Sequence, residues 1–444
     1  MSIPSRSSLL VLSFVLAAGP SPWAEEPLRL VEQFPVGYQY HVSSRVELSG
    51  SVLLPPEKDG AAPRPLKVSG ESAIEYDERV LALDAAGQPQ KTVRIYRRLD
   101  FRRRVGDQPQ ENTLRPAVRR LVLLRRQNVE VPFSPDGPLT WNEIDLVRTD
   151  VFTPALAGLL PGRPVRPGER WTAAAAAVQE LTDLERTDEG SIACRLEQVT
   201  TLENRRHARV ALAGTVRGTN EDGPNRQQLE GYYFFDLESN HLSYLYVKGV
   251  NSMLDKDGKE VGRLEGHFVL TRQAHRRSPD LSDAALRGVA LEPDADNTLL
   301  LFDSPEAGVR FLYPRRWRAS LLPGRRVTLD GADGSGLLLT VEPLAKVPTG
   351  AGFLAESRAW MKEQKAKELR VVPPQRLQAA PQELEHFALE VEVSGQRVLM
   401  DYYVVRQPSG GATLAARLLP ADLAALRKEV ERIARSVTIT GTIK

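Results

Sequence analysis

The chain has 444 residues, 41% hydrophobic and 26% charged, with a formal net charge of +2. That length divides into two or three domains, the composition is that of a chain able to bury hydrophobic cores, and the small net charge singles out no polyanionic or polycationic partner. The single cysteine, Cys194, excludes an internal disulfide, so each domain has to be held by its own core.

The first 24 residues read as an export signal. Arg6 is their only charged side chain, the apolar run Leu9 to Ala18 follows, and Gly19, Pro20 and Pro22 end it before Ala24 and the acidic pair Glu25-Glu26. This is the order of a secretory leader, and its core is shorter than the ~20 apolar residues that span a bilayer. Cleavage is expected after Ala24, giving an exported chain of the periplasm or the medium. No cysteine stands at the cleavage region, which excludes a lipid-anchored amino terminus of the bacterial lipoprotein kind, and no later segment reaches membrane-spanning length.

Residues 25–275 read as a β-rich domain. Short alternating runs recur at Tyr38 to Val42, Val46 to Val52, Val93 to Tyr96, Ala208 to Leu212, Gly231 to Phe235 and Leu242 to Val247. Alternation with period two buries one face and wets the other. The pairs Asp59-Gly60, Asp136-Gly137, Asp222-Gly223 and Asp257-Gly258 supply the positive φ that tight hairpins need. The expected fold is an antiparallel meander curled into a barrel, half-barrel or sandwich. Asp145 to Leu160 reads as an ordered loop and short helix with Pro154 at the first helical position. Trp171 to Leu184 is ambiguous: its alanine run favours helix, while Gly168-Glu169-Arg170-Trp171 reads as the start of a strand.

Residues 276–297, with Pro279, Pro293 and several aspartates, read as a linker. Residues 298–444 change rhythm. Strands are expected at Val309 to Tyr313, Arg326 to Leu329 and Gly336 to Val341, then an amphipathic helix over Phe353 to Leu369. Three more strands follow near Phe387 to Val393, Val398 to Val405 and Ala412 to Leu418. Leu423, Leu426, Val430 and Ile433 then define one face of a closing helix, and Val437 to Ile439 a last strand. The result is an α+β chain: a β-rich domain followed by an antiparallel sheet with helices on its faces.

Phe311-Leu312-Tyr313-Pro314-Arg315-Arg316-Trp317 resembles the opening of the PsbP/Mog1-like fold, an α/β/α sandwich, and the element order from about residue 299 to 440 is similar. That resemblance implies a non-catalytic docking, assembly or extrinsic-subunit role. It transfers no functional residue, and Tyr313, Pro314 and Trp317 are expected to pack. The amino-terminal domain resembles exported bacterial β-rich proteins, and Gly231 to Asp236 is similar to strands of periplasmic lipoprotein-carrier half-barrels.

Two sets of side chains stand out. Lysine supplies only 12 of the 59 basic residues, and arginines crowd between Arg94 and Arg126 with few acidic residues beside them. Arg94, Arg97, Arg98, Arg102 and Arg104 are the candidate anion-binding face; the alternative is a solvated sheet face. Tyr232, Phe234, Tyr244 and Tyr246 are the candidate lining of an apolar ligand cavity; the alternative is core filling. Cys194, in the strand-like run Ile192 to Leu196, is expected to be a buried small hydrophobe. The histidines form no His-Glu-x-x-His pattern, no phosphate-cradling glycine loop or nucleophile elbow occurs, and Asp255 to Glu260 is better explained as a type I′ turn than as a calcium loop. No cofactor, metal or nucleic acid is expected. The sequence points to a non-enzymatic binding or assembly module of the bacterial envelope, acting on an envelope protein. A carrier of a lipid-like amphiphile is the second hypothesis, and a hydrolase with an unrecognised site the third.

Overall fold

The computed structural model describes residues 26–54, 63–126, 129–378, 382–419 and 422–441; the expected export signal and the Asp59-Gly60 turn lie outside them. Strand accounts for 56% of the structure and helix for 16%. Among the described residues no helix is long and apolar enough to cross a membrane.

The first twelve strands are β1 Gln39–Leu54, β2 Arg64–Leu83, β3 Pro89–Val105, β4 Gln108–Thr113, β5 Arg120–Arg126, β6 Val129–Phe133, β7 Arg170–Thr172, β8 Arg186–Leu202, β9 Arg205–Asn220, β10 Gly223–Asp236, β11 His241–Leu254 and β12 Glu260–Ala274. They form one open antiparallel sheet in the order β6-β5-β3-β2-β1-β12-β11-β10-β9-β8-β7, with β4 paired to the far half of β3. The sheet does not close, so the barrel alternative is corrected. Hairpins join β8 through β12 in sequence. Asp222-Gly223 joins β9 to β10, and Asp257-Gly258 joins β11 to β12. Around the latter only Gly258 has positive φ, at +79°, and Asp255 Oδ1 accepts from the amides of Asp257 and Lys259. A type I′ turn needs two positive φ angles, so the expected turn type is also corrected: one left-handed glycine closes a type I-like turn.

A glycine-rich row crosses seven strands of the long sheet. Gly70 pairs with Leu48, Leu48 with Gly266, Gly266 with Gly249, Gly249 with Leu229, Leu229 with Gly214, and Gly214 with Ile192. A β-carbon on Gly214 would lie 2.1 Å from the Ser191 carbonyl oxygen, and one on Gly266 would lie 2.4 Å from that of Glu47. Neighbouring backbones approach there more closely than any side chain permits, which is how glycine curves a sheet.

The concave face holds an insertion between β6 and β8, here termed the plug. It contains helix α1 Trp141–Arg148, a 3-10 helix Thr153–Leu159 and helix α2 Ala175–Thr182. Thr140 and Glu143 make a reciprocal capping box on α1, and Pro154 stands in the first turn of the 3-10 helix. The ambiguous stretch from Trp171 contains both expected elements, β7 and then α2. Leu146, Val147, Leu156, Leu159, Ala177 and Val178 are buried with Tyr40, Cys194, Tyr233, Phe235 and Leu270 of the sheet. Tyr233 Oη and Trp171 Nε1 both donate to the Leu159 carbonyl, at 3.0 and 2.8 Å. Gln227 Nε2 donates to the Thr182 carbonyl at 2.5 Å. Cys194 is fully buried, and burial pushes its thiol up to about 12, which makes it a packing residue.

The segment expected to be a linker lies against the opposite face of the sheet. Helix α3 Asp283–Leu286 follows a 3-10 turn at Pro279–Leu281, and Leu281 and Leu286 bury against Val93, Val122 and Phe133. Arg79 donates to the Leu281 carbonyl at 2.7 Å. Alternation in β3 had a second apolar surface to cover, and this segment covers it.

The remaining strands are β13 Leu300–Ser304, β14 Val309–Tyr313, β15 Trp317–Leu322, β16 Arg326–Gly331, β17 Gly336–Glu342, β18 Lys367–Leu377, β19 Glu383–Val393, β20 Gln396–Gln407, β21 Gly410–Leu418 and β22 Thr438–Ile439. They form a three-stranded sheet, β13-β14-β22, and a seven-stranded sheet, β15-β16-β17-β21-β20-β19-β18. Helix α4 Gly350–Glu363 buries Met361 against Phe387, Leu389, Val391 and Tyr402 on one face of the larger sheet. Helix α5 Leu423–Ser436 buries Leu426, Val430 and Ile433 in the cluster that holds Tyr403, Leu414 and Ala416 on the other. Helix α4 stops earlier than its apolar spacing suggests, because Lys365 takes φ +54° and the chain turns into β18. Trp317 is fully buried and donates to Glu429 of α5 at 2.8 Å, a packing role.

Candidate functional site

The uncovered part of the convex face carries transverse rows of outward side chains set by strand register. One row runs Glu230, Lys248, His267, Glu47, Glu71, Arg102, Glu111 across β10, β11, β12, β1, β2, β3 and β4. Its neighbours are Ser49, Ser69 and Arg104 on one side and Tyr232 and Tyr246 on the other. Together these strands shape a trough of about 680 Å³ lined by Glu47, Glu71, Arg102, Arg104, Tyr246 and Lys248, among others. It brings together residues from both sets singled out in the sequence.

The four aromatics do meet, on this exposed face. Tyr233, Phe235 and Leu245 take the inward positions and are fully buried, so alternation turns Tyr232, Phe234, Tyr244 and Tyr246 outward. The interior lining expected for them is corrected on that ground: the plug and the inward aromatics fill the concave side. The outward rings form a continuous shelf. Tyr232 lies 5.9 Å from Tyr244 at 28° and 5.7 Å from Tyr246 at 34°, centroid to centroid, and Phe234 lies 5.6 Å from Tyr232. The Arg209 guanidinium stands 4.6 Å over the Tyr232 ring, and His267 stacks on Tyr246.

The arginines divide. Arg97 is held by Asp77, whose other oxygen takes His41 Nδ1 at 2.8 Å; burial pushes the Asp77 carboxyl up, but these two hydrogen bonds outweigh it and hold the carboxyl below its ordinary range. Arg98 pairs with Asp100 at 2.7 Å. Arg102 pairs with Glu71 at 3.0 Å and reaches Glu111 at 3.9 Å. Arg104 is exposed in the trough and makes no ion pair among the described residues. The sequence looked poor in acids because, Asp100 apart, the partners come from neighbouring strands. Arg94 is the clear correction: at 1% exposure it is unavailable to an external anion.

Arg94 instead centres a buried polar cluster under the plug. Its Nε donates to Glu78 at 2.9 Å, and its Nη1 donates to Asp150 at 2.6 Å and Tyr96 Oη at 3.1 Å. Its guanidinium covers the Tyr76 ring at 4.3 Å, and Tyr40 Oη donates to Glu78 at 2.5 Å. Arg272 and Glu32 form a second buried pair. Asp150 belongs to the plug, and burial pushes its carboxyl up to about 7, Arg94 opposing and Glu78 adding to the rise. A carboxyl raised on folding favours the protonated native state. Its contribution is complete below its ordinary value of 3.8 and is lost as pH rises through about 7. Thermal unfolding should therefore fall in midpoint between pH 5 and pH 8, and Asp150→Asn, which keeps an acceptor for Arg94, should flatten that slope. An unchanged slope in the variant would rule Asp150 out as its source.

Among the described residues no group of three or more His, Cys, Asp or Glu side chains is placed to hold a metal ion. His275 lies just past the end of β12 and takes φ +57°. The residues that sequence reasoning missed are Glu47, Glu71, Glu111 and Lys248. Their signal was positional: each stands opposite a charged or aromatic residue once the hairpins are paired.

No family model matches the sequence, and no curated protein matches it. Among solved structures, cyanobacterial PsbP from Synechocystis matches at 12% identity and a TM-score of 0.26, covering 32% of this chain and 92% of that one. A lipovitellin structure described by its lipid–protein interactions matches at 10% identity and a TM-score of 0.30, covering 55% of this chain and 26% of that one. The translocator domain of the autotransporter NalP from Neisseria meningitidis matches at 8% identity with a TM-score of 0.11, over 87% of this chain and 88% of that one. The likeness to PsbP is a weak one, of fold alone.

Proposed function

We propose that this chain is an exported, non-enzymatic binding module of the bacterial envelope, and that its β-rich part engages its partner through the convex face of the long sheet. The observation that carries this reading is the trough in which Arg102, Arg104 and Tyr246 come together, while the plug occupies the concave face. Binding surfaces of this kind sit on rigid, pre-formed elements, and a long paired sheet is one. In the same reading the carboxy-terminal domain is of the PsbP/Mog1-like kind and serves as a docking element; the buried Trp317 at its opening supports that through packing. The carrier alternative needs an apolar cavity with inward aromatics, and the outward shelf counts against it.

The full chain, expressed with export and purified without detergent, is expected to give a native mass of bare polypeptide beginning at Glu25. An added lipid-like mass released by organic solvent would overturn this reading in favour of the carrier. A mass that retains residues 1–24 would overturn the export assignment.

A further inference from the structure

We propose that the trough and the aromatic shelf beside it form one site for an extended, uncharged polysaccharide chain lying across the strands; this rests on the convex-face binding reading above. The shelf supplies the first half of the recognition. Tyr232, Tyr244 and Tyr246 present rings whose planes differ by about a third of a right angle, with Phe234 at the side. The C–H face of a sugar ring is apolar, and it packs against the apolar surface that aromatic rings leave exposed. Arg209, paired with Glu197, lies over one face of Tyr232 and His267 stacks on Tyr246, so the sugar contacts the ring surface these neighbours leave exposed, and the row leads past His267 into the trough.

The trough supplies the second half. Its carboxylates are Glu47, Glu71, Glu111 and Glu265, and its fixed cations are Arg102, Arg103, Arg104 and Lys248. Four of each sign leave no net field, so the site has nothing to concentrate a polyanion such as nucleic acid or an anionic lipid surface. What it offers is acceptors and donors side by side on neighbouring strands, with Ser49, Ser69 and Gln110 between them. A hydroxyl is donor and acceptor at once, so a hydroxyl-rich, uncharged chain satisfies both kinds in turn. The trough runs from β11 to β4, five interstrand steps or roughly 24 Å. That is the reach of several linked sugars rather than one. Access is open, because the segment around α3 packs on Val93, Val122 and Phe133 and bonds to Gln39 and Arg79, none of which lines the trough.

The test is calorimetric titration of the full mature chain with hexamers of glucose and of N-acetylglucosamine, the matching monosaccharides, and heparin as a polyanionic contrast. At least one hexamer should bind, and its monosaccharide should bind roughly tenfold weaker or worse. Tyr246→Ala should weaken the hexamer by about tenfold, while Tyr246→Phe, which keeps the ring, should leave it nearly unchanged. Tyr246 is half-buried on the outer face, and an unaltered thermal midpoint verifies that both variants fold. Failure of both hexamers overturns the proposal, and so does hexamer binding indifferent to Tyr246→Ala. Heparin binding abolished by Arg104→Ala, with both hexamers silent, overturns the uncharged chain as ligand while leaving the convex-face reading standing. A copurifying lipid mass would sink that reading itself.

Discussion

Arg94→Met is expected to cost about 3–5 kcal/mol of stability, the range for removing one partner of a buried ion pair. Burial alone would favour neutral groups at this position. What keeps Arg94 charged is the pair of carboxylates on either side, Glu78 from β2 and Asp150 from the plug. Methionine has similar volume and fills the space over the Tyr76 ring, so little of the loss comes from a cavity. The loss comes from two buried carboxylates left without a cation, each of which must take up a proton or remain charged in an apolar setting. The expectation follows that Arg94→Met combined with Glu78→Gln and Asp150→Asn recovers a large part of the stability, since a cluster with no charge has none to strand. Urea titration followed by tryptophan fluorescence would measure both, because Trp141 opens α1 and Trp171 lies in β7 just before α2. Equal loss in the single and triple variants would mean that Arg94 acts by packing rather than charge.

The same residue shows where the sequence stopped being legible. Alternation announced most of the strands, and the order of elements after residue 298 was readable from period two giving way to period 3.6. Alternation does not say which face is covered. Tyr232-Tyr233-Phe234-Phe235 puts aromatics on both faces of β10, and only the plug, supplied by a distant insertion, decides that Tyr233 and Phe235 are the buried pair. Arg94 sits in a run of arginines and looked like its neighbours; its burial depends on Asp150, 56 residues away. β18 was hidden because Pro373 and Pro374 interrupt it where its register with β19 slips, as edge strands permit. The trough residues were invisible for another reason. Glu47, Glu71 and Glu111 are ordinary exposed glutamates in the sequence, and only register lines them up.

The bend of the sheet gives the last prediction, because the glycine row contains its own control. Gly214→Ala places a methyl carbon 2.1 Å from the Ser191 carbonyl oxygen, against backbone that is itself hydrogen-bonded into β8. The strands must separate or the bend must open, and the expected cost is more than about 3 kcal/mol, at the upper end of overpacking effects. Gly249→Ala lies in the same row, but there the nearest atom is the end of the Leu229 side chain, 2.9 Å away. A leucine can change rotamer, and alanine also loses less backbone entropy on folding than glycine, so the cost should stay below about 1 kcal/mol. If the glycines were merely tolerated small residues, both substitutions would be mild. If the row is where the sheet is bent, the two separate widely, and Gly266→Ala, which meets the Glu47 carbonyl, should fall with Gly214→Ala. Because Glu47 and Glu71 stand one position from Leu48 and Gly70 in this row, straightening the sheet there also flattens the trough. Gly266→Ala should therefore weaken whatever the convex face binds by more than its distance from the shelf would suggest.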